Sequence, residues 1–388
     1  MSPVAPKSKL PNTGTTIFTV MSRLAERHQA VNLSQGFPDF DPPGRLIELV
    51  DRHLGAGHNQ YAPMPGVLPL REAIAREVDC RYGVSVDPVA EITITSGATE
   101  ALFCAILALA GHGEEVIVFD PAYDSYQPAA TLAGARTVHL PLEPPEFRID
   151  WERLADALCD RTRLVIINTP HNPSGRILSH ADLDRLANVL APYDCYLISD
   201  EVYEHIVFAD AGHAGILSHP ALAERGLAIS SYGKTFHATG WKTGYAIGPA
   251  ALTAELRRVH QFATFATTTP LQWAIAEYLD ELPMHYLELA PFYRGKRDYF
   301  IEAMSPTPFR FEAAEGTYFQ LADYSEISDL DDVEFARRLT TEHGVATIPI
   351  SVFYESAPDA RLVRFCFAKE QATLDEAARR LASLDRIV

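Results

Sequence analysis

The chain has 388 residues, 47% apolar and 22% charged, which is enough for a large buried core and more than one domain. Acidic residues outnumber basic ones by 51 to 33. Such a surface repels phosphate backbones and anionic lipid, so nucleic acid and membrane are excluded as partners and small-molecule substrates are expected. The five cysteines are scattered and form no C-x-x-C pair, and the N-terminus carries no apolar signal segment. A disulfide framework and a zinc site are therefore not expected, and a reducing cytoplasm is the expected location.

Residues 1–44 are rich in turn formers, notably P-N-T-G and G-F-P-D-F-D-P-P-G, and read as an arm and a loop that join a smaller domain. Residues 45–285 read as a large domain. Short apolar runs predict strands at Ile92–Thr95, Glu115–Phe119, Thr137–Leu140, Leu164–Asn168, Tyr196–Ser199, Leu227–Ser231 and Tyr245–Ile247. Helical patterns lie between them, among them Ala98–Ala110 and Ala181–Leu190, and Ser179 with Asp182 is a start signal for the second. Strand, helix and strand at this spacing predict an α/β fold on a mostly parallel sheet. Residues 286–388 read as a smaller α+β domain. Its expected strands are Tyr318–Leu321, Val345–Ile350 and Leu362–Ala368, with helices at Asp332–Glu342 and Ala372–Leu384.

Ligands of open parallel sheets sit beyond the C-terminal ends of the strands. Five predicted strands end in chemistry: Ser96-Gly97-Ala98-Thr99, Asp120-Pro-Ala-Tyr123, T-P-H-N-P-S-G at 169–175, Asp200-Glu-Val-Tyr203, and Ser231 followed by Lys234. The chain holds six lysines against 27 arginines, yet Lys234 and Lys242 share one loop of glycines and small hydroxyl residues. Unlike arginine, lysine can lose its proton and attack a carbonyl. Gly97 opens a helix whose free N–H groups form an anion site, to which Ser231 and Lys242 add a hydroxyl and a cation. Asp200 ends an apolar strand and requires a cationic partner. Tyr203 adds a phenol and Asn172 an amide held in a proline-bounded turn. Together an amine, an anion pocket, a buried carboxylate, a phenol and an amide are what pyridoxal 5'-phosphate requires.

The motifs L-S-Q-G-F-P-D-F (33–40), N-Q-Y-A-P-M-P-G (59–66), T-S-G-A-T-E-A-L (95–102), N-T-P-H-N-P-S-G (168–175), S-D-E-V-Y-E-H (199–205), S-Y-G-K-T-F-H-A-T-G-W-K-T-G (231–244) and R-F-C-F-A-K (364–369) span nearly the whole chain. In this order the sequence resembles the fold type I, class I aminotransferases, and among them the methionine and kynurenine/glutamine aminotransferases. The resemblance implies that Lys234 bonds the cofactor aldehyde and moves the substrate proton. It implies that Asp200 pairs with the pyridine nitrogen, that Tyr203 and Asn172 bond the ring oxygen, and that Tyr123 stacks on the ring. Gly97, Ala98, Thr99, Ser231 and Lys242 would bind the phosphate, joined by Tyr61 reaching into the neighbouring subunit of a homodimer. Arg364, assisted by Asn172 and the Gly36 backbone, would clamp the substrate carboxylate.

The reaction so implied is ping-pong transfer of an amino group from an amino acid to a 2-oxo acid, with burial and Lys242 lowering the pKa of Lys234. Thr99 departs from the kynurenine/glutamine pattern, which has tyrosine there. Val259 to Tyr293 contains no arginine that could bind a distal carboxylate, while Phe18, Phe37 and Phe265 suggest an apolar pocket. Methionine, aromatic amino acids, glutamine and kynurenine are the expected donors, methionine foremost. A cysteine-conjugate β-lyase on the same scaffold is the alternative. A nucleotide-binding loop is excluded, because the glycine required five positions before Gly233 is Ala228.

Overall fold

The computed structural model describes residues 7–384 and 387. In chain order its strands are β1 (Val31–Asn32), β2 (Ile92–Thr95), β3 (Glu115–Asp120), β4 (Arg136–Pro141), β5 (Thr162–Asn168), β6 (Tyr196–Asp200), β7 (Gly226–Ser231), β8 (Gly244–Ile247), β9 (Phe319–Asp323), β10 (Val345–Ala346), β11 (Ile348–Pro349) and β12 (Leu362–Cys366). Seven form one sheet in the order β2-β8-β7-β6-β5-β3-β4. Only β8 runs antiparallel, to both β2 and β7, and the remaining pairings are parallel. Consequently β2, β3, β5, β6 and β7 point the same way, and the five chemically loaded strand ends share one edge.

Both faces of this sheet are covered, which is why its strands read as unbroken apolar runs. The period of two divides them. Val116, Val118, Leu164 and Ile166 face one layer, where helix Gly97–Leu109 packs with Leu252 and Leu256. Ile117, Phe119, Val165 and Ile167 face the other, which is filled from helices Leu68–Tyr82, His180–Leu190 and Thr269–Glu281. Ser179 caps helix His180–Leu190 in a full capping box with Asp182, as expected.

A second core is built on the antiparallel sheet β11-β12-β9 and is largely aromatic, with Phe300, Phe319, Phe335 and Phe365 at its centre. Residues 7–44 join the smaller domain through a helix and a strand. Thr16 caps a helix over Ile17–His28, and β1 pairs in parallel with β10, so that Met21 and Leu33 are buried in this second core. The run Val345–Ile350 is not one strand. It divides at Thr347, whose hydroxyl donates to the Arg364 carbonyl at 2.7 Å, and its halves serve two different sheets. The strand expected to reach Ala368 stops at Cys366, and the last helix stops at Leu381. Among the described residues no helix is long and apolar enough to cross a membrane.

Candidate active site

A cavity of about 250 Å³ opens at the shared strand edge. Apart from Phe37, Tyr61 and Phe265, every residue assigned to a site from the sequence lines it. Lys234 follows β7 in a single helical turn, Tyr232–Thr235, and its partly buried side chain lines the cavity. Its Nζ donates to the Tyr318 hydroxyl at 2.8 Å and to the Gly36 carbonyl at 3.2 Å. Burial, then the positive charges of Arg364 and Lys242, lowers its pKa to about 8, against the opposing pull of Cys366 and Asp200.

Beside it lies an anion cradle. Ser96 follows β2 as the N-cap of the next helix, and Gly97 opens that helix with φ +74°, a left-handed conformation that favours glycine. A Cβ on Gly97 would stand 3.1 Å from Lys242 Nζ, so the missing side chain leaves room for that cation. Lys242 has no hydrogen-bond or ion-pair partner among the described residues. The cradle is braced from behind: Glu100 accepts from Ser96 N–H at 3.1 Å, and its other oxygen meets His260 Nδ1 at 2.8 Å.

Asp200 lies at the floor. Burial raises its pKa to about 6, and the Tyr126 hydroxyl at 2.6 Å and the Val202 N–H oppose the rise. No basic side chain lies within ion-pair distance of it among the described residues, so its charge lacks a close counterion. Tyr203 reaches the cavity because the chain turns helically after Glu201. Asn168 holds that corner, accepting from Asn172 N–H at 2.8 Å and donating to the Asp200 carbonyl at 2.8 Å. Tyr123 closes one side, its hydroxyl 3.3 Å from Thr99 Oγ1.

Arg364 sits at the centre of β12 and is 1% exposed. Its Nη1 donates to Asn172 Oδ1 at 2.7 Å and Nη2 to the Ser34 carbonyl at 3.0 Å, and its plane lies 3.8 Å from the centre of the Phe319 ring. Nε has no partner, and no carboxylate lies within 4.0 Å among the described residues. A buried guanidinium with neutral partners only is costly unless an anion arrives.

Tyr61 and Phe265 lie outside the cavity, 85% and 41% exposed, with their rings edge to face at 5.5 Å. Phe37 is also exposed, under Lys369. Sequence reasoning missed Tyr126, Asn168, Tyr318 and Phe319. Phe319 sits in an apolar run whose pattern reports burial and nothing of what its ring meets, while Tyr126 stands among the polar residues Asp124, Ser125 and Gln127 with no signal for its hydroxyl's partner.

Residues 28–381 match the family described as aminotransferase class I and II. The chain belongs to that family. It is an aminotransferase, and enzymes of the family act on amino and 2-oxo acids with pyridoxal phosphate. A methionine aminotransferase of Escherichia coli (strain K12) is 54% identical over 383 residues, covering 99% of both chains. The solved structure of an Escherichia coli methionine aminotransferase matches with a TM-score of 0.97, covering 98% of this chain and all of the other. N-Succinyldiaminopimelate aminotransferase from Mycobacterium tuberculosis matches with a TM-score of 0.94 at 42% identity, over 98% of this chain and 100% of that one. A kynurenine–oxoglutarate transaminase of Dictyostelium discoideum is 34% identical, over 98% of this aminotransferase and 97% of its own length.

Proposed function

We propose that this aminotransferase uses pyridoxal 5'-phosphate to move the amino group of an apolar or sulfur-containing L-amino acid, methionine foremost, to a 2-oxo acid. The observation that carries the substrate class is the buried Arg364 without a carboxylate partner. It offers one site for one α-carboxylate, and it is the only arginine lining the cavity among the described residues. With no second arginine for a distal carboxylate, and with Phe18, Leu102, Val202 and Phe319 in the wall, an apolar side chain fits better than aspartate. The 54% identity to a methionine aminotransferase supports the same choice.

The residues present suit the cofactor. An unpartnered Lys242 beside a glycine-lined helix N-terminus suits a phosphate. A buried Asp200 lacking a close counterion suits a protonated ring nitrogen, and Tyr203 and Asn172, which line the same cavity, would donate to the ring oxygen. Gly97, Ala98, Thr99 and Ser231 complete the phosphate site, and Tyr123 covers the ring. When bound, pyridoxal phosphate supplies a conjugated electron sink for the pair released at the substrate Cα. Arg364, with Asn172 and Gly36, orients the substrate carboxylate, and Lys234 Nζ takes the Cα proton and returns it. Tyr61 and Phe265 are assigned to the cavity of a second copy in a homodimer, which accounts for their exposure as a contiguous aromatic pair. A cytoplasmic location is retained as part of this reading, in keeping with five free cysteines.

Lys234 must be neutral to bond the aldehyde, and a base is neutral above its pKa. Capture of pyridoxal phosphate by the apo-protein is therefore expected to accelerate as pH rises through about 8 and then to level off. A midpoint near the ~10.4 of an ordinary lysine would contradict the site's electrostatics. Asp200→Asn preserves shape and removes charge. It is expected to lower kcat roughly 10²- to 10³-fold, with fold and phosphate binding retained.

The function is tested with a panel of amino donors and 2-oxo acceptors on the purified enzyme. Methionine and aromatic amino acids should outrank aspartate in kcat/KM. The relatives are named as transaminases, which favours transfer over elimination. Pyruvate released from a cysteine conjugate without an acceptor, at rates matching transamination, would instead assign the chain as a β-lyase.

A further inference from the structure

The amine of Lys234 ends in a cage. Nζ donates to Tyr318 Oη at 2.8 Å and to the Gly36 carbonyl at 3.2 Å, and Tyr318 Oη donates to that same carbonyl at 2.5 Å. The phenol proton is thus committed to Gly36, and Tyr318 meets the lysine as an acceptor. Burial holds the phenol well above its usual pKa, so it keeps this proton. The ring is fully buried and packs against Tyr203, Tyr293 and Phe319 at centroid distances of 5.1, 5.7 and 4.9 Å, which leaves the hydroxyl no second position. Gly36 is equally fixed, since a Cβ there would lie 2.8 Å from Phe319 Cζ.

A neutral primary amine has two N–H bonds and one lone pair. With both N–H bonds directed at Tyr318 and Gly36, the lone pair takes the remaining direction, toward the cavity that Lys234 lines. The loop that carries Gly36 also accepts from Arg364 through the Ser34 carbonyl, so the base and the carboxylate clamp are held by one segment.

We propose that Tyr318 is the positioning residue for proton transfer: clamped to Gly36, its hydroxyl orients the free amine of Lys234 so that the lone pair meets the substrate Cα–H. This rests on the role of Lys234 proposed above. In the step it serves, the Cα–H bond breaks and an N–H bond forms at Nζ. The bound cofactor would take up the electron pair left at Cα, and Nζ would hold the proton and give it up again as the amino group leaves. The charges of Asp200, Lys242, Arg364 and Cys366 also act on Nζ, and the Tyr203 ring lies 5.5 Å from it, but among the described residues only Tyr318 and Gly36 hydrogen-bond to it.

The test is Tyr318→Phe, which keeps the ring and removes the hydroxyl. In apo-protein, labelling of Lys234 by trinitrobenzenesulfonate, mapped by peptide mass, reads the amine directly. Its pH midpoint is expected to fall by about one unit, because a buried ammonium loses an acceptor. A lower pKa alone would leave the rate equal or higher. Lost orientation should instead slow single-turnover deamination of methionine about tenfold. It should also raise the isotope effect of Cα-deuterated methionine, with KM nearly unchanged. An unmoved labelling midpoint together with an unmoved isotope effect would overturn the proposal. Tyr318→Met, apolar and adaptable enough to fill the same space, is expected to give the same shifts and guards against a folding defect of the first variant. If Lys234 itself were misassigned, wild-type enzyme would fail to retain reduced cofactor on that residue, a result independent of either variant.

Discussion

Lys234→Ala is expected to lower transamination by at least ~10³-fold with every donor and acceptor, since Lys234 is proposed as both the covalent anchor and the proton carrier. The loss should fall on kcat far more than on KM, because Arg364 and the anion cradle do not depend on the amine. The cradle is built from Gly97 to Thr99, Ser231 and Lys242, so the variant should still bind pyridoxal phosphate, reversibly and without a covalent bond. Lys234→Arg is expected to be as inactive. A guanidinium cannot shed its proton, although it restores the charge that Asp200 and the phenols feel. Retention of near-normal kcat by either variant would place the chemistry on another residue.

Arg364→Ala should weaken the productive binding of every amino acid and every 2-oxo acid alike. The guanidinium is buried, its two Nη atoms are oriented by Asn172 and Ser34, and no protein carboxylate competes for it. Removing one member of such a buried charge pair costs about 2–5 kcal/mol, or roughly 30- to several-thousand-fold in kcat/KM. Arg364→Lys should recover only part of this, because an ammonium cannot span two oxygens as the planar guanidinium does. Steady-state kinetics over several side chains checks the point: a uniform loss identifies an α-carboxylate clamp, whereas a loss confined to one donor would assign Arg364 to side-chain recognition.

Much of this arrangement can be read from residue patterns, and the reasons are specific. Strands β3, β5, β6 and β7 are buried on both faces, so their apolar runs stand out, and Asp200 or Ser231 marks the point where each run meets the crevice. Lysine is scarce enough that two in one glycine-rich loop are conspicuous. Direction was harder, since nothing in Tyr245–Ile247 shows that β8 runs against its neighbours. The break at Thr347 is also invisible in sequence, because it depends on a hydrogen bond to β12 across the fold. Tyr126 and Tyr318 belong to the site through contacts 74 and 84 residues distant in the chain, with Asp200 and Lys234. Tyr61 and Phe265 stand outside the cavity of their own chain, so a single copy cannot display the role assigned to them.

The most direct test of the central claim is reduction of the wild-type enzyme with borohydride followed by peptide mapping. The protein is expected to be yellow, to lose its visible band on reduction and to retain one pyridoxyl group, on the peptide that carries Lys234. A colourless protein, or a reduced adduct on any of the other five lysines, would contradict it.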